Sequence, residues 1–198
     1  MFQISAFTVF ADEETMSSIC IEAENYLKKT GGYTVVEDSN LSKGKGIVVD
    51  SSNYEGADGN NTLEYSFAVE KQGRYDIWVL STDGLTNYVS QFKWKLDGGA
   101  YAAATKDKKL VSFRTPGITK TTMYWIKLST AELKEGTHSF GIKVDEKRTM
   151  SPNMYLHAMD CIMLVPEKWK FEPNELDKPF NVDDISVEYV SGEIKTKN

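Results

Sequence analysis

From Ile19 to Val165 the chain is a succession of short segments in which apolar and polar residues alternate, each cut off by a turn signal. A period of two places alternate side chains on opposite faces of an extended strand. Gly46–Asp50, Thr62–Val69, Gln91–Leu96, Met123–Leu128, His138–Val144 and Tyr155–Val165 read this way, as does Gly73–Leu80, with Tyr75, Ile77 and Val79 on one face. Lys71-Gln72-Gly73, Asp83-Gly84, Asp97-Gly98-Gly99, Pro116-Gly117 and Glu135-Gly136 supply the turns. Many short strands with almost no helical periodicity predict an all-β fold, a β-sandwich or barrel. Thr130–Lys134 is the one stretch with the makings of a helical turn. After Pro166 the chain becomes charged and Pro-punctuated, and only Ile185–Val190 reads as a strand. The expected organisation is an N-terminal segment over 1–17, a sandwich over 18–166, and a linker or C-terminal strap over 167–198.

With 198 residues the chain suits one domain with some extra length. A net charge of -6 offers no basic footprint for nucleic acid or for anionic lipid. The only local basic patch is Lys106–Lys109. No stretch is long and apolar enough to span a membrane as a helix. The opening run MFQISAFTVFADEE is apolar up to Val9-Phe10-Ala11, whose small residues match the rule for a secretory cleavage site. Export is therefore expected, with these residues either a signal-peptide remnant or an apolar segment that packs on the domain. Cys20 and Cys161 fall on the first and last strands of the sandwich. They are read either as two small buried thiols or, in an oxidising compartment, as a disulfide.

The segment SICIEAENY, Ser18–Tyr26, carries a conflict. Ile19, Ile21 and Ala23 alternate with Cys20, Glu22 and Glu24, so the two glutamates share a face roughly 7 Å apart at Cα. Like charges that close repel. Either the pair is simply solvated, or something of opposite charge offsets it.

Several patterns then occur in order: IEAENY (Ile21–Tyr26), LEYSFAVEKQGRYDIWV (Leu63–Val79), WKLDGG (Trp94–Gly99), WIKLSTAELKEGTHSFGIKV (Trp125–Val144) and MDCIML (Met159–Leu164). The set resembles the carbohydrate-binding modules of families 6 and 35, over about Ile19 to Pro166. The resemblance implies a galactose-binding-like jelly roll whose first and last strands run together. It also implies a structural Ca²⁺, with Glu22, Glu24 and Asp160 at the acidic ligand positions and main-chain carbonyls near Ser42–Gly46 completing the set. Calcium takes 6–8 oxygen ligands and favours carboxylates. The implied function is non-catalytic: polysaccharide binding that targets an attached glycoside hydrolase or lyase to its substrate. The alternative is a structural or protein-docking domain of a larger extracellular enzyme.

A sugar site needs an aromatic platform and a few fixed polar groups. The resembling modules use loops at one end of the sandwich and an Asn two residues before the late Asp. Here that position is Ala158, with Asn153 and His157 nearby. The candidate sugar-binding residues are Tyr54, in the enlarged loop Asp50–Asn61, Tyr88, Trp125, Asn153 and Tyr155. Trp125 alternates with Ile126 and Leu128 and is expected on an exposed face. Trp78 alternates away from the core and is read as lining a sheet face; Tyr124 and Trp94 are read as core. No Gly-x-Ser-x-Gly, His-Glu-x-x-His or phosphate loop is present. His138 reads as structural. Tyr155-x-His157 is the one pairing left open for catalysis.

Overall fold

The computed structural model describes residues 16–52, 59–82, 87–104, 108–114, 122–172 and 186–189. Among the described residues, fourteen strands form two main antiparallel sheets and a two-stranded sheet. The larger sheet runs β3 (Tyr33–Glu37), β4 (Lys45–Asp50), β12 (Leu156–Pro166), β6 (Gly73–Thr82), β10 (Thr122–Leu133), β9 (Lys108–Arg114), with β1 (Ile19–Glu22) also on β12. The smaller runs β2 (Lys28–Thr30), β5 (Asn61–Val69), β11 (Gly136–Val144), β7 (Lys93–Leu96), β8 (Ala102–Ala103). The fold is an all-β jelly-roll sandwich. Among the described residues no helix is long and apolar enough to cross a membrane.

Alternation builds the core between the sheets. Leu63, Tyr65, Phe67 and Val69 of β5 face Tyr75, Ile77 and Val79 of β6, and all are buried. The turn after β7 uses Asp97 at φ 49° and Gly98 at φ 72°, left-handed positions that glycine and aspartate tolerate best. The Thr130–Lys134 stretch is not helical. Thr130 to Leu133 continue β10, paired with Asp76 to Gly73 of β6. A long strand partner overrides the local helical preference.

The first and last strands do run together, with Ile19 opposite Leu164 and Glu22 opposite Cys161. β12 is the central element, and every one of its residues is buried. A two-layer sandwich would leave one face of this strand to water. Here a second apolar cluster covers that face: Val48, Trp78, Leu80, Met123, Trp125, Ala158, Cys161, Met163 and Val165. What closes it is the chain beyond Pro166. β13 (Trp169–Glu172) pairs with β14 (Ser186–Tyr189). Phe171 lies with its ring centroid 5.0 Å from Trp78 and 4.9 Å from Trp125. Glu167 adds an ion pair to Arg74 at 2.6 Å. The segment expected to be a linker or strap thus contributes a third layer where it is described.

Phe171 is 4% exposed, so its removal leaves a cavity over two indoles. Phe171→Ala is expected to cost about 3 kcal/mol, a fall in melting temperature of roughly 6–12 °C for a domain of this size. It should also raise binding of a hydrophobic dye. Thermal unfolding with the dye present checks both; an unchanged melting temperature would contradict the third layer.

Candidate functional site

The sequence-derived site residues separate into two places and one misfit. The acidic residues gather where β12 changes its edge partner. β4 pairs with β12 over Leu156–Met159, and β1 pairs with it over Cys161–Leu164. Asp160 stands between, and the pairing of β12 with β6 shifts register at the same place, from Met159 to Cys161. Asp160 is thus the extra residue of a bulge, a device that re-aims a side chain. Its carbonyl accepts the Ala23 N–H at 2.9 Å. Its carboxylate is 0% exposed and accepts the Ser42 N–H at 3.1 and 3.2 Å. Ser42 opens the short 3-10 turn before β4, and its hydroxyl donates to Glu22 Oε1 at 2.8 Å. The Ser42–Gly46 stretch therefore docks on the first and last strands together.

Burial pushes the Asp160 carboxyl well above the ordinary aspartate value. The Ser42 N–H opposes that shift, and the charges of Glu22, Glu24 and Asp38 add to it. Glu24 Oε2 is buried with no hydrogen-bond partner. A buried carboxylate oxygen without a partner is costly. Among the described residues no three His, Cys, Asp or Glu side chains form a ready-made metal site as they stand. The donors on hand are all oxygens, on two strands and one turn. A hard divalent cation that draws on carbonyls as well as carboxylates fits such a set.

The second place is the loop end of the sandwich. The chain segments following β4, β6 and β11 meet there. Ser51 N–H donates to the Tyr155 carbonyl at 3.0 Å and Ser90 N–H to the Leu156 carbonyl at 2.7 Å. Met150 N–H reaches the Asn87 carbonyl at 2.9 Å. Arg148, which the sequence did not single out, ties the rim: Nε donates to the Pro152 carbonyl at 3.0 Å and Nη1 to the Tyr88 carbonyl at 3.2 Å. Thr149 Oγ1 donates to Asn87 Oδ1 at 2.8 Å. On this frame Tyr88 is 57% exposed. Asn153 is exposed, and its amide donates to the Arg148 carbonyl at 2.5 Å. The rim thus exposes an aromatic ring and an amide to water.

Other candidates stand differently. Tyr155 reaches the same rim, but its ring belongs to the main core, at 9% exposure. Gly59, at φ +86°, is what admits its hydroxyl, because a Cβ there would lie 2.6 Å from it. Trp125 has the outward parity expected of it yet is 1% exposed, buried under Phe171. It lies on the larger sheet beneath the third layer and takes no part in the rim. Trp78 is covered by the same ring. Tyr124 and Trp94 are partly buried against the main core. Tyr54 and the side chains of Lys106–Lys109 lie outside the described residues.

His157 points into the core rather than to the rim. It is fully buried, with Tyr33 Oη 3.0 Å from Nδ1 and Ser81 Oγ 2.9 Å from Nε2. Ser81 Oγ also lies 2.9 Å from the Ala158 carbonyl. One proton arrangement satisfies every group: Tyr33 donates to Nδ1, Nε2–H donates to Ser81, and Ser81 donates to the carbonyl. Ala158 itself is fully buried, its N–H donating to Thr82 Oγ1 at 3.1 Å.

No family model and no curated protein sequence matches the chain. Among solved structures, a GH26-CBM35 β-(1,4)-mannanase of Podospora anserina superposes with a TM-score of 0.52 at 15% identity, over 81% of this chain and 31% of that one. The fold is that of a family 35 carbohydrate-binding module. A Paenibacillus xanthan lyase gives a TM-score of 0.52 at 17% identity, over 80% of this chain and 16% of that one. A family 35 carbohydrate binding module from Clostridium thermocellum gives 0.47 at 18% identity, over 74% and 97%. The chain thus spans under a third of the mannanase and under a fifth of the lyase. At such identity the likeness is one of fold.

Burial holds the His157 imidazole down at about 3, against an ordinary 6.5. The folded protein keeps it neutral while the unfolded chain protonates it. Its contribution is complete above pH 6.5 and declines as pH falls toward 3. The slope is at most about 1.4 kcal/mol per pH unit. Urea unfolding between pH 6.5 and about 4.5 should carry this loss as one component of its pH slope, with the raised Asp160 carboxyl and the raised His138 imidazole contributing in the opposite direction. His157→Gln should flatten it. An equal slope in the variant would contradict the neutral, buried assignment.

Proposed function

We propose that the chain is a non-catalytic polysaccharide-binding module, secreted, with its sugar site at the loop rim and a calcium ion at the acidic junction. The observation that carries the sugar reading is Tyr88, 57% exposed on a rim otherwise tied down by Arg148 and Asn87. Its ring would stack on the C–H face of a sugar, while Asn153 and neighbouring amides meet hydroxyls. Tyr54, in the loop between Ser52 and Gly59, is the second aromatic candidate. Tyr155 would support the rim from beneath rather than stack. The mannanase and the xanthan lyase that share the fold are polysaccharide-active by name. That suits a module which brings an attached hydrolase or lyase to its substrate. The full burial of His157 speaks against a catalytic Tyr155-x-His157 pairing.

One observation favours a structural or docking role instead. The position where the resembling modules carry an Asn is Ala158, which faces into the second apolar cluster. Affinity electrophoresis against a panel of plant and microbial polysaccharides separates the readings. Retardation by one class is expected, and Tyr88→Ala should weaken it about tenfold, the loss of roughly 1.4 kcal/mol, with the melting temperature unchanged. Absence of retardation by every polysaccharide would favour docking.

Glu22, Glu24 and Asp160 would hold the calcium ion. When bound, it supplies positive charge to a buried, oxygen-lined site and links strand ends by mass action. The chain's own residues do the rest: Ser42 orients Asp160 and Glu22, and the bulge aims Asp160 inward. Chelator is therefore expected to lower the melting temperature of the unaltered chain by several degrees. In Asp160→Asn the response to chelator should vanish. An unchanged response in that variant would remove Asp160 from the site.

A further inference from the structure

Cys20 and Cys161 have no part in the roles assigned above. β1 runs antiparallel to β12 with Cys20 opposite Met163 and Cys161 opposite Glu22. Residues two apart on a strand share a face, so the cysteines occupy diagonal corners of one four-residue patch. Cys161 packs in the second apolar cluster and Cys20 packs against it. Both are free thiols, Cys161 buried and Cys20 half-buried. They are the chain's only two cysteines, so neither has another intramolecular partner.

A diagonal pair in a regular sheet sits roughly 7–8 Å apart at Cα, and disulfides prefer spans up to about 6.8 Å. Two local features ease that difference. β1 is a four-residue edge strand bonded in its sheet only to β12, so it can be drawn inward. The bulge of β12 immediately before Cys161 adds local twist. We propose that Cys20 and Cys161 form an intramolecular disulfide in an oxidising environment, tying the first strand of the sandwich to the last. With oxidised glutathione as the acceptor, Cys20, the more accessible thiol, first exchanges to a mixed disulfide and releases one reduced glutathione. Cys161 Sγ then attacks Cys20 Sγ and releases the second. Both cysteine protons and two electrons leave on the two reduced glutathione molecules, and one S–S bond forms for the one broken.

The bond would close a loop of about 140 residues, which restricts the unfolded chain strongly. Strain from the diagonal geometry takes back part of that gain and makes the bond easier to reduce than an ordinary structural disulfide. The expected net rise in melting temperature is roughly 5–15 °C.

The test uses the full-length chain, reduced, freed of reductant and incubated folded with oxidised glutathione. Thiols are then counted after denaturation and the intact mass is measured. The expected product is a monomer with no free thiol, two hydrogens lighter and carrying no glutathione. It should melt above the dithiothreitol-treated chain. Cys161→Ser should instead retain glutathione on Cys20. Any of three results in the unaltered chain overturns the proposal: both thiols still free, glutathione left on Cys20, or a covalent dimer. These readouts need no variant, so a variant that misfolds does not blunt the test.

Discussion

A fully buried carboxylate sits where the last strand of the sandwich changes partner, and three further carboxylates bear on it. Asp160 is held there by the bulge of β12, with Ser42 N–H on its oxygens and Ala23 N–H on its carbonyl. Through these contacts one residue fixes β1, the turn before β4 and the centre of the larger sheet. Burying such a group is costly unless its charge is met. The buried, unpartnered Oε2 of Glu24 adds to the cost. A hard cation is the partner proposed for this cluster. The strand expected to carry both glutamates ends at Glu22, and Glu24 lies in the turn that follows; in that reading both are set beside Asp160 as ligands of one cation.

Two apolar faces on one strand set the remaining architecture. β12 is buried on both sides, so the larger sheet needs cover beyond the smaller one. The chain after Pro166 supplies it through Phe171 over Trp78 and Trp125. This leaves the aromatic residues of the sheet face inside the protein and the loop rim as the place where an aromatic ring meets water. Tyr88 stands there because Arg148 and Asn87 bind the two loops that carry it and its neighbours.

Much of this was legible in the sequence, for physical reasons that differ by residue. Alternation revealed the long strands, since a half-buried strand has to show a period of two. Glu22 and Glu24 showed a same-face conflict, and only the family resemblance brought Asp160, far along the chain, to them. Trp125 had the right parity and the wrong exposure, because parity gives the face and says nothing of what covers it. The cover comes from Phe171, in a segment whose charge and prolines resemble a linker. Tyr155 was a rim candidate by sequence and its ring lies in the core by structure, through the room Gly59 leaves for its hydroxyl. His157 looked like a chemical group, but its partners Tyr33 and Ser81 are distant in sequence and gave no local sign. Arg148 was invisible for the same reason: its role is to bond carbonyls that only the folded rim brings within reach.

The claim on which the rest leans most is that the carboxylates around Asp160 take up a cation. Calorimetric titration of Ca²⁺ into the chelator-stripped, full-length chain tests it directly. The account predicts saturable uptake of one calcium per chain, absent in Asp160→Asn. No saturable uptake by the unaltered, folded chain would contradict it.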